Sequence, residues 1–219
     1  MIIKTDYDNP LKLIKSHDEE IVRTVLLMVR MKNRTNEFRE RLGKAYRATP
    51  DNIELAFVFG MFQMLSIEKE ISLSAKIFVE EALEAFDNIL LVEPGYWLVR
   101  ILKAKLYSML PGSLVDDESI INELQTLIEL QKKSEYKSYF IVTYIMIADF
   151  LFSFAEKQKS WDYIIESSNL NRFPVDVLPD LLVSPLKNFE NKLRISGETD
   201  MADKIKYMGQ DLFGKNYLK

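Results

Sequence analysis

The chain has 219 residues, 47% of them apolar and 28% charged, with seven Gly and seven Pro. This is the balance of a folded protein with a sizeable core, and it excludes wholesale disorder and collagen-like chains. There is no Cys and one His, which excludes disulfide frameworks, zinc ribbons, iron–sulfur clusters, thiol nucleophiles and metal sites needing two imidazoles. The net charge of −4 and a pI of about 5.3 give a surface that does not attract nucleic acid as a whole.

The apolar period is helical almost throughout. His17–Met31 reads as a first helix, with Ile21, Val22, Val25, Leu26, Met28 and Val29 on one side, and Asn36–Ala48 as a second. Thr49-Pro50-Asp51 reads as a helix start, with Thr49 as cap and Pro50 at the first helical position, opening a third helix to about Leu65. Leu73–Val92 is a fourth, closed by Pro94-Gly95, and Tyr96–Leu110 a fifth, closed by Pro111-Gly112. Asp116 and Asp117 open a sixth helix ending near Lys133, and Lys137–Lys157 is a seventh. A shorter one covers Trp161–Ser167, another begins at Ser184-Pro185 and ends near Gly197, and Thr199–Phe213 is the last. No alternating run argues for a sheet. The expected fold class is all-α, with short connections making neighbouring helices antiparallel.

Tyr139–Ala155 is the most apolar stretch, but it lies near the lower length limit for a membrane span and carries Asp149, so it reads as a buried internal helix. Met1–Asp8 shows no basic segment ahead of an apolar core, so the expectation is a cytoplasmic chain without a secretory leader and without membrane contact.

The helices carry a repeat signal. Phe38, Leu42, Ala45 and Pro50 share their spacing with Ala82, Phe86, Ile89 and Pro94. In the helices before them, Val22, Val25, Leu26 and Val29 match Ala56, Phe59, Gly60 and Gln63. Gly60, set between bulky neighbours, predicts a close helix approach. This pattern resembles the tetratricopeptide repeat (TPR), whose usual period is about 34 residues. Glu19–Asn52 spans one such period, Ile53–Tyr96 is similar to a second repeat lengthened around Gln63–Leu73, and a third begins at Trp97 with Ala104 and Tyr107. Leu26 stands where the family has a small residue, and Gln63 where it has an aromatic one. The expected organisation is therefore a leading segment over residues 1–18, repeats over 19–133, and less regular C-terminal helices over 134–219 packed on the array as a single compact domain.

No catalytic constellation is legible. His17 stands at a predicted helix start, and no phosphate-binding glycine motif occurs. Asp116, Asp117 and Glu118 match a helix dipole more simply than they match a metal, and Asp149 has no nominated partner beyond a structural hydrogen bond to a neighbouring helix. Neither a metal nor another cofactor is expected. If the resemblance holds, the first helix of each pair lines a concave face. That implies a partner-binding surface of Arg23, Leu27, Arg30 and Met31, then Phe57, Met61 and Met64, then Ile101 and Lys105, apolar in its middle and basic at its ends. Its natural guest is an amphipathic helix or extended peptide with acidic residues. Because Leu55–Leu65 is apolar nearly all round, the same face can instead be filled by the chain itself. The implied function is a non-catalytic protein- or peptide-binding scaffold. The alternatives are a peptide-sensing regulator and a self-associating subunit, the latter through a basic stretch at Arg30–Arg47 and an acidic one at Ser66–Glu93.

Overall fold

The computed structural model describes residues 35–67, 74–108, 117–175 and 179–218. The predicted helix His17–Met31 lies outside them. Every regular element among the described residues is helical: α1 Thr35–Ala48, α2 Ile53–Ile67, α3 Ser74–Val92, α4 Trp97–Ser108, α5 Asp117–Lys132, α6 Ile141–Ser153, α7 Lys157–Ser168, α8 Pro179–Ile195, α9 Thr199–Phe213 and the single turn α10 Lys215–Leu218. The all-α fold expected from the apolar period is the fold present. The chain divides into two compact units between Met109 and Leu110, a boundary well ahead of residue 134 and inside the third expected repeat.

In the first unit each helix packs on the next, α1 on α2, α2 on α3 and α3 on α4. The loop between α1 and α2 differs from its sequence reading. Thr49 does not cap α2; its hydroxyl donates back to the Ala45 carbonyl at 3.1 Å. The cap is Asn52, whose Oδ1 accepts the Leu55 N–H at 3.0 Å. The start signal therefore lies one turn early, because Pro50 and Asp51 form the turn that precedes the cap. Gly60 does what its position predicts. A Cβ there would lie 2.6 Å from Cε1 of Phe86, so α2 and α3 meet with the buried Phe86 ring against bare backbone.

In the second unit α6 contacts α5, α7 and α8, and α9 contacts α7, α8 and α10. Helices α6 to α9 thus form two hairpins packed side by side. The expected helix Lys137–Lys157 is broken. A 3-10 turn, Ser138–Phe140, precedes α6, and the chain bends at Phe154–Glu156 before α7. No Gly or Pro marks that bend. Ala155 takes φ 62°, its N–H donates to the Phe152 carbonyl at 3.1 Å, and the Glu156 N–H reaches the Leu151 carbonyl at 3.0 Å. That pair of bonds is the Schellman closure usually built on glycine. Helix α8 also starts earlier than expected and runs through Pro185, because Leu182, Val183, Leu186, Phe189 and Leu193 form one buried stripe across it.

The hairpins α6–α7 and α8–α9 are built alike. At the α8–α9 bend Gly197 takes φ 80° and repeats the closure through Gly197 N–H to Arg194 and Glu198 N–H to Leu193. At the offset that carries Ala155 onto Gly197, the buried residues Phe140, Tyr144, Ile147, Leu151, Ser160 and Ser167 match the buried Leu182, Leu186, Phe189, Leu193, Ala202 and Gly209. Small residues at Ser160/Ala202 and Ser167/Gly209 let each second helix lie close to its neighbours. Lys157 of one bend reaches Glu198 of the other at 2.7 Å.

Candidate functional site

The sequence places its candidate surface on α2 and α4. Arg23, Leu27, Arg30 and Met31 lie outside the described residues. Phe57, Met61 and Met64 share one face of α2 by their spacing, and they are 2%, 1% and 2% exposed. Ile101 of α4 is also buried, and Lys105 one turn later is half-buried. Among the described residues, the apolar members of the candidate surface, Phe57, Met61, Met64 and Ile101, are interior side chains. The physical reason is the composition of α2, which has no polar stripe and is covered on every side.

Each direction from α2 has its own partner. Phe57 stacks on Tyr96 of the α3–α4 loop, ring centroids 5.8 Å apart. Phe59 stacks on Tyr46 of α1 at 4.7 Å, and the Tyr46 hydroxyl accepts from Asn88 Nδ2 of α3 at 2.7 Å. Burial raises the pKa of both Tyr46 and Tyr96 above the ordinary phenol value. The one polar side chain facing inward, Gln63, is 1% exposed. Its Oε1 accepts from Arg39 Nε at 3.0 Å, while its Nε2 donates to Glu81. Arg39 closes the set, with Nη2 3.3 Å from Glu81 and its guanidinium 4.0 Å from the Phe78 ring centroid. Gln63 thus joins α1, α2 and α3 through a satisfied polar network. Glu81 also lies 3.9 Å from Arg47, so charges of the basic and acidic stretches meet within the chain.

The second unit holds Asp149, the carboxylate singled out in the apolar stretch. Lys192 Nζ of α8 donates to Asp149 Oδ1 and to Ser153 Oγ at 2.9 Å. Burial raises the Asp149 pKa, and the Lys192 hydrogen bond and charge pull it back. The cluster ties α6 to α8, as a structural hydrogen bond to a neighbouring helix does. Helix α6 makes two further buried polar contacts: Gln131 Nε2 of α5 donates to Thr143 Oγ1 at 2.6 Å, and Ser160 Oγ of α7 donates to the Ala148 carbonyl at 2.8 Å. Tyr144, buried nearby with Glu166 and Glu129 around it, has its pKa pushed up to about 12.

His17 and Asp116 lie outside the described residues, and Glu118 is exposed at the start of α5. Among the described residues no group of three or more His, Asp or Glu is placed to hold a metal ion. No described helix is long and apolar enough to cross a membrane.

Two residues that sequence reasoning passes over are joined at the end of the second unit. Tyr217 of α10 lies against Gly209 of α9, where any Cβ would collide with its ring, and its hydroxyl donates to Glu190 Oε2 of α8 at 2.7 Å. The signal for the contact is a lone glycine inside an otherwise regular amphipathic helix, which usually has a packing reason. No protein-family model matches this chain, and no curated protein matches it.

Proposed function

We propose that this protein is a non-catalytic protein- or peptide-binding scaffold built from helical hairpins in the manner of tetratricopeptide arrays. The observation that carries the reading is the in-order packing of α1 to α4, with Gly60 serving as the small residue against Phe86 between two successive helices. Stacked hairpins of this kind present the leading helices of successive pairs on one side, and in this reading α2 and α4 take that role. Since Phe57, Met61, Met64 and Ile101 are buried, a guest amphipathic helix gains their apolar surface only by displacing what covers them. The half-buried Lys105 then supplies a basic end for an acidic guest residue.

Panning a random peptide library against the full chain tests the reading. The expected result is an acidic, amphipathic consensus whose binding raises the melting temperature and weakens in Lys105→Gln. Failure to enrich a consensus, or a consensus that binds Lys105→Gln as tightly, removes it.

A further inference from the structure

We draw no further inference here: the strongest candidate, the apolar stripe of Met146, Phe150 and Phe154 along α6 and onto its closing bend, is only partly exposed, and nothing in the structure shows what covers it.

Discussion

Ala155 and Gly197 close equivalent helices in equivalent left-handed conformations, at φ 62° and 80°, yet only one of them is a residue suited to it. An L-residue with a Cβ pays roughly 1–2 kcal/mol in that region, partly offset because glycine makes the unfolded chain more flexible by about 0.4–1 kcal/mol. Ala155→Gly is therefore expected to stabilise the protein by about 0.5–1 kcal/mol, and Gly197→Ala to destabilise it by a similar amount. Urea unfolding of the two variants checks both signs. A destabilised Ala155→Gly means that the bend is not held as described.

Gly60 sets two effects against each other. Alanine gains about 0.5–1 kcal/mol of helix propensity, but its Cβ would press on the buried Phe86 ring, and overpacking costs about 1–3 kcal/mol. The clash wins, so Gly60→Ala is expected to destabilise by about 1–2 kcal/mol. In a Phe86→Leu background the same change becomes neutral or favourable, and a double-mutant cycle measures the reversal.

Arg39 and Arg47 both approach Glu81 but are not equivalent. Arg39 is inside the Gln63 network at 30% side-chain exposure, while Arg47 is 64% exposed and 3.9 Å away. Arg39→Ala leaves a buried amide oxygen without its donor and is expected to cost about 1–3 kcal/mol. Arg47→Ala is expected to change stability by less than about 0.5 kcal/mol. Equal losses from the two sites contradict this division.

Asp149 carries a pH signature. Its folded pKa is raised, mainly by burial, so between its ordinary and folded values the folded state binds more protons than the unfolded one. Its contribution is greatest below the ordinary value and is lost as pH rises through the folded pKa. The stability difference between the wild type and Asp149→Asn should accordingly move against the wild type as pH climbs through this window. Lys192→Met removes the group that draws the pKa down, and carboxyl NMR titration should then place Asp149 higher still.

The helical faces are legible in the sequence wherever an apolar stripe meets a polar one. Helices α1, α3, α4 and α5 fall within one to two residues of their expected limits because Thr49-Pro50, Pro94-Gly95 and the acidic start at Asp117 punctuate them. The bend at Ala155 escapes notice because its conformation is carried by a residue with no turn preference. The likeness of α6–α7 to α8–α9 escapes for a different reason: packing equates Ser167 with Gly209 and Ile147 with Phe189, so size and burial recur without identity. The candidate surface shows the limit of periodicity itself. Spacing places Phe57, Met61 and Met64 on one side of α2, but a helix apolar on all sides gives no sign of which side faces solvent.

The convergence of Arg39 and Arg47 on Glu81 reaches beyond stability. Cations and anions that the primary structure sets far apart neutralise one another across adjacent helices, leaving a weaker dipole to a molecule approaching from solution. Long-range attraction between two such molecules is correspondingly muted, and association rates with a charged visitor should vary less with ionic strength than the clustering of charge along the chain implies.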